Sequence, residues 1–163
     1  MRVREKVQEV LRESLVSDSA DATPWYADGL CFSCTQCGNC CSGAPGHVWV
    51  TTAEIERIAA FCNLTVEDFS RRHLRRVGFG RSLLELPGGD CEFLDRLPDG
   101  KTQCRIHPVR PVQCRTWPFW KSNLSTPGDW QSAATGCPGI NRGEHHPLPV
   151  IQAALRDNGR RPL

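Results

Sequence analysis

The chain has very little methionine or tyrosine, with one of each among its 163 residues, and aromatic residues make up only 7% of it. Twelve prolines and fourteen glycines accompany that shortage. Long helices throughout are therefore excluded, and turns and irregular connections are expected. No apolar run approaches the roughly 20 residues that cross a bilayer, so no membrane span is expected. The first seven residues, Met1-Arg2-Val3-Arg4-Glu5-Lys6-Val7, are basic. They lead into further charges and lack the ~7–15-residue apolar centre of a secretory signal. The expectation is a cytoplasmic protein, where thiols stay reduced. Neither sign of charge dominates. The formal net charge of +2 argues neither for nor against a nucleic-acid partner.

Cysteine is what the chain has in excess. Five of its ten cysteines fall within eleven residues, Cys31-Phe32-Ser33-Cys34-Thr35-Gln36-Cys37-Gly38-Asn39-Cys40-Cys41. Core packing has no use for thiols at that density. Thiolates two residues apart can converge on a soft metal. Ten is an even number, so five disulfides are the competing reading. A reducing compartment and adjacent cysteines both disfavour it.

The length suits one domain, which would bury roughly 70% of its unfolded surface. We expect residues 1–23 to form an N-terminal helix and linker, and residues 24–163 the cysteine-cluster domain. The expected fold class is α+β: a small irregular metal-centred domain with short helices and a small antiparallel sheet. Val3, Val7, Val10, Leu11 and Leu15 mark one stripe of a helix over residues 2–15. Thr51 or Thr52 caps a second helix, with Ile55, Ile58, Ala59 and Cys62 on its buried face. Cys62 is read there as a core residue. Thr65 opens a third helix that continues into the basic run Arg71-Arg72-His73-Leu74-Arg75-Arg76. A solvated helix end is preferred there to a nucleic-acid surface, because no aromatic stacking pattern accompanies the run.

Residues 82–86, 91–95 and 102–106 read as strands of a meander, separated by Pro-Gly-Gly-Asp and Pro-Asp-Gly turns. A short helix or turn is expected over 109–117. Another short helix is expected from Thr126, and a C-terminal one over 147–156.

Cys34, Cys37, Cys40 and Cys41 are the expected ligands of the first group. Adjacent side chains generally point apart, so Cys41 is expected to serve a second site or a multinuclear cluster. Cys91, Cys104, Cys114 and Cys137 are the expected distant ligands. Together these eight thiols suffice for one or two four-thiolate centres. Long gaps are no objection: doubling a flexible loop costs about 0.6 kcal/mol, and a structural zinc returns roughly 10–16 kcal/mol. Such a centre carries net negative charge that neighbours must balance. Arg105, Arg110 and Arg115 flank Cys104 and Cys114, and Arg110 and Arg115 are the expected cofactor-contacting residues. His107 is an alternative ligand, and His145 and His146 are read as surface.

These residues resemble the C-x-x-C-x-x-C-C family, also called YkgJ-like cysteine cluster proteins. The resemblance rests on residues 32–41, Cys91-Glu92-Phe93-Leu94, Cys104-Arg105-Ile106-His107, Arg110-Pro111, Cys114-Arg115-Thr116-Trp117-Pro118-Phe119 and Cys137-Pro138-Gly139. It implies a zinc- or iron-chelating protein without an assigned biological role. Many relatives place tyrosine where this chain has His107. A similar cluster in the much larger flagellin lysine methylases is associated with an iron–sulfur centre, which favours iron. The expected cofactor is therefore an iron–sulfur cluster or Zn2+. The expected partner is the metal ion, with no membrane and no specified protein partner. A redox or methyl-transfer enzyme, or an accessory subunit using the cluster, is the alternative. No phosphate loop, H-E-x-x-H or dinucleotide fingerprint supports a standard enzyme class.

Overall fold

The architecture is that of a computed structural model, which describes residues 23–43 and 46–159. The helix expected over residues 2–15, and most of the linker after it, lie outside the described residues. Among the described residues the fold is mixed α+β, with six α-helices and three two-stranded antiparallel sheets. In chain order the strands are β1 (Leu30–Phe32), β2 (Leu74–Val77), β3 (Gly80–Leu83), β4 (Leu94–Arg96), β5 (Thr102–Cys104) and β6 (Ile140–His146). The helices are α1 (Thr52–Phe61), α2 (Val66–His73), α3 (Val112–Arg115), α4 (Lys121–Leu124), α5 (Pro127–Gly136) and α6 (Leu148–Asn158).

Two apolar cores carry these elements. The first collects Val50, Ile55, Ile58, Ala59, Phe69, Leu83, Phe93 and Ile106 from α1, α2 and the β3–β5 region. Phe69 and Phe93 stack within it at 6.2 Å. The second collects Phe119, Leu124, Trp130, Cys137, Ile140 and Ile151. The C-terminal helix turns Ile151, Ala154 and Leu155 toward this core, whereas Val150 is exposed.

The expected meander is divided. Strands β2 and β3 form one hairpin and β4 and β5 another, and a single bridge, Glu85 to Cys91, joins the segments between them. Sequence periodicity does not report the pairing between the segments most distant in sequence. Strand β1 overlaps the start of the cysteine run and pairs with β6, Leu30 opposite His146 and Cys31 opposite His145. The helix expected to run through Arg76 ends at His73, and Leu74 is already extended. The strand residues Arg75 and Arg76 take their ladder partners from Ser82 and Arg81, so pairing overrides helix propensity there.

Polar clamps supplement the small cores. Thr51 and Glu54 form a reciprocal capping box at the start of α1. The buried Glu54 also reaches 58 residues along the chain. Its Oε1 accepts from the Val112 amide at 2.7 Å while its Oε2 accepts from Thr51 N and Oγ1, each at 2.7 Å. Gln113 ties α3 to the segment before α1: it accepts from the Trp49 amide at 2.9 Å and donates to the His47 carbonyl at 2.9 Å. The cysteine loop is seated on β5. Thr102 donates to the Gln36 carbonyl from its amide at 3.1 Å and from its hydroxyl at 2.8 Å. Gly38 sits at φ 77°, and a Cβ there would lie 2.7 Å from Thr102 Cγ2.

Glu54→Gln places an amide NH2 against one of these donors and is expected to cost about 1–3 kcal/mol, read by denaturant titration of the metal-free protein. Gly38→Ala combines a left-handed backbone with a collision on Thr102, and is expected to cost about 1–2 kcal/mol or more in the same assay. Ala at Gly136, where a Cβ meets nothing within 4 Å, is the matched control and should show no loss.

Candidate metal centre

The fold gathers five thiols from four separate segments. Cys40 and Cys41 come from a single 3-10 turn, Asn39–Cys41. Cys91 follows the Pro-Gly-Gly-Asp turn, Cys104 ends β5, and Cys114 lies in α3. These five lie within electrostatic reach of one another: Cys40 and Cys91 both act on Cys41 and on Cys114, and Cys104 acts on Cys91 and Cys114. Backbone bonds hold the approach. The Cys91 amide donates to the Cys41 carbonyl at 2.7 Å, and the Cys41 amide to the Gly38 carbonyl at 2.8 Å. Ser42 Oγ closes the turn on the Gly38 carbonyl at 3.1 Å.

The adjacent pair departs from the expectation that neighbouring side chains diverge. Divergence holds for extended chain, but the tight turn swings both sulfurs to one side, and Cys40 Sγ lies 3.7 Å from Cys41 Sγ. That is close to the edge of a tetrahedral thiolate site, about 3.8 Å for metal–sulfur bonds of about 2.3 Å.

Burial and crowding set the charges. The hydrogen bond from Cys41, helped by Arg110, outweighs burial and holds the Cys40 thiol down at about 7. The Cys41 thiol is driven up by that same bond, by burial and by the neighbouring thiolates. Burial pushes Cys91 up to about 11 against the Phe93 amide that favours its thiolate. Burial also raises Cys104 and Cys114, with Arg110 opposing the rise in both. Arg110 thus acts electrostatically on Cys40, Cys104 and Cys114. The other expected cofactor contact, Arg115, is an exposed residue of α3. Arg105 is engaged elsewhere, with Asp95 at 3.3 Å and over the Phe93 ring. His107 contacts Arg110 through its ring nitrogen, and burial together with that guanidinium lowers its pKa.

The remaining expected ligands are placed differently. Cys34 is exposed and Cys37 half-buried, both on the loop ahead of the turn. Cys37 lies between the two residues pinned to Thr102. Cys137 is buried in the second core, where Trp117 Nε1 donates to its sulfur at 3.5 Å. The loop still approaches it, because Asn39 donates to the Gly136 carbonyl at 2.9 Å. Cys62 caps α1 at its C-terminal end and packs half-buried against the first core. His145 is exposed, as expected. His146 is half-buried, bonded to the Phe32 carbonyl at 2.9 Å and packed on Phe119.

The donor chemistry fits zinc or an iron–sulfur cluster: the gathered group is all sulfur, it is partly shielded from water, and a guanidinium stands beside it. Among the described residues, no three His, Cys, Asp or Glu side chains stand as placed in an arrangement that could hold a metal ion. All ten cysteines are unpaired thiols. Thr102, Asn39 and Glu54 escaped the sequence reading as positioning residues. Only the Thr51–Glu54 capping spacing could have pointed to one of them.

Comparison with known proteins agrees with this chemistry. The sequence profile of the CxxCxxCC family, described as a "putative zinc- or iron-chelating domain", matches residues 33–138. That span includes the five gathered thiols together with Cys34, Cys37 and Cys137. The uncharacterized protein MJ0661 of Methanocaldococcus jannaschii is 31% identical over 114 residues, covering 69% of this chain and 58% of that protein. The chain thus spans less than two thirds of the length of that curated relative. No solved structure matches the chain. The profile covers well over half of the sequence and nine of its ten cysteines, and the chain belongs to the CxxCxxCC family.

Proposed function

We propose that this protein binds zinc or an iron–sulfur cluster through thiolates of Cys40, Cys41, Cys91, Cys104 and Cys114. The observation that supports the reading is the 3.7 Å approach of the Cys40 and Cys41 sulfurs, with Cys91, Cys104, Cys114 and Arg110 within electrostatic reach of that pair or of one another. Closing the centre requires side-chain rotations toward a common point, and the 3.7 Å pair already has the spacing of one edge. Arg110 offsets the negative charge of the thiolate set, and Thr102 and Glu54 hold β5 and α3 in register beneath it. Cys34 and Cys37, on the loop ahead of the turn, and Cys137, near Asn39, supply a second centre or complete a multinuclear one. Reduced thiols in this number suit a cytoplasmic setting. Bound metal would hold the two cores together and could exchange electrons if it is iron–sulfur.

Protein purified without oxygen is expected to carry at least one zinc, or iron with acid-labile sulfide, per chain. Brown protein with charge-transfer absorption identifies iron–sulfur, and colourless protein with stoichiometric zinc identifies a zinc site. Less than one metal per chain in fresh protein refutes the proposal. Cys104→Ser and Cys114→Ser should each lose at least half of the metal, whereas Cys62→Ser should keep its full complement, as read by elemental analysis.

Metal affinity should fall with acid. Cys91 at about 11, and the raised Cys104 and Cys114, bind their protons at pH 7 and must release them to ligate. With at least two protons released per zinc ion, apparent affinity should drop about 100-fold per pH unit below 7. Competition with a chromophoric chelator at pH 6, 7 and 8 measures that slope. A pH-independent affinity contradicts ligation by these thiols.

A further inference from the structure

The basic run 71–76 was read from sequence as a solvated helix end without an aromatic partner, and the fold removes both grounds. Helix α2 stops at His73, and the chain turns at once into the β2–β3 hairpin. Arg71 therefore approaches from the helix, while Arg75, Arg76 and Arg81 stand on the strands, Arg76 directly opposite Arg81. With Ser70 and Leu74 they line an open depression of about 320 Å³ with no acidic residue in its lining. That volume is near the lower end for ligand pockets, of the size of a nucleotide rather than of one small ion.

Two polar atoms in residues of its wall, Ser70 Oγ and Arg75 Nε, are buried and lack hydrogen-bond partners. Unsatisfied buried groups are costly, but both atoms are closed to solvent, so the exposed guanidinium groups carry the case for an anion here. Not every guanidinium is free. Arg71 pairs with Asp68, Arg75 pairs with Glu85 at 2.7 Å, and Arg76 Nε donates to the Gly78 carbonyl at 3.2 Å. Arg81 makes no side-chain hydrogen bond or ion pair among the described residues.

Phe79 stands at the tip of the same hairpin with its ring fully exposed. The neighbouring Gly80 lies against the Trp49 ring, 2.7 Å from where a Cβ would be. The hairpin thus rests on Trp49 and presents Phe79 outward. Packing gives no reason for that ring. A base stacks on such a ring irrespective of its identity, and arginines take the flanking phosphate. A membrane would require a broader apolar face than one side chain.

We propose that the β2–β3 hairpin binds single-stranded nucleic acid, with a phosphate in the arginine-lined depression and a base on Phe79. The test uses the full chain, purified with its metal, and a labelled 15-nucleotide oligothymidine in fluorescence anisotropy. Three phosphate contacts predict a log–log salt slope of about −2, hence a loss of about 10- to 20-fold between 50 and 200 mM salt. Phe79→Ala should weaken binding about fivefold or more at unchanged slope, and Arg81→Ala should reduce the slope by about 0.7. Both residues are exposed, so metal content and circular dichroism should match the parent. Three results overturn the proposal. One is no binding at 50 mM salt, or binding unaltered in both variants. Another is inorganic phosphate competing as well, per phosphate, as the oligonucleotide, which marks a small-anion site. The third is binding only to phosphatidylserine vesicles.

Discussion

Five thiols held within electrostatic reach cannot all ionise unless a cation joins them. Burial and crowding of these thiols are the constraint on which the structure turns. Burial pushes Cys91 up to about 11 and raises Cys104 and Cys114, while the hydrogen bond between the adjacent pair holds Cys40 down at about 7 and drives Cys41 up. The scaffold concentrates sulfur where burial disfavours thiolate, with Arg110 as the compensating charge from protein. A soft divalent ion or a cluster relieves the same strain far more completely, which is why the donor set and the family's chelating description agree.

The rest of the fold holds these four segments in place. Neither core is large, and the connections between them are polar and specific. Thr102 grips the loop at Gln36, Asn39 ties it to the end of α5, and β1 pairs with β6 more than a hundred residues away. Glu54 does the same for α3, which carries Cys114. Each clamp satisfies backbone groups that irregular chain would otherwise bury unpaired. A small domain rich in turns thus gains order from side chain-to-backbone bonds where longer helices would use their own ladders.

The thiol group and the basic hairpin are joined through one residue. The Glu85 carboxylate accepts from Arg75 of the hairpin, and its backbone bridges to Cys91 of the thiol group. The β2–β3 hairpin and the segment that delivers Cys91 therefore share a support. A change of charge at the thiols acts close to the wall of the arginine-lined depression.

Much of this was legible in the chain itself. The density and spacing of cysteine pointed to a soft-metal chemistry, and the chelating description of the family agrees with it. The capping box at Thr51, the apolar spacing of Ile55 and Ile58, and the Pro-Asp-Gly turn marked α1 and the β4–β5 hairpin, because local geometry and local sequence coincide there. Tertiary structure alone decided which thiols meet, since loop lengths say little about where distant segments land. It also decided that Cys40 and Cys41 face the same way, through their tight turn, and that the run after His73 is strand, through the hairpin it forms. Pairing and turn geometry there outweigh the preferences of single residues. Hydrogen bonds and burial across tens of residues leave no periodicity for a sequence to display.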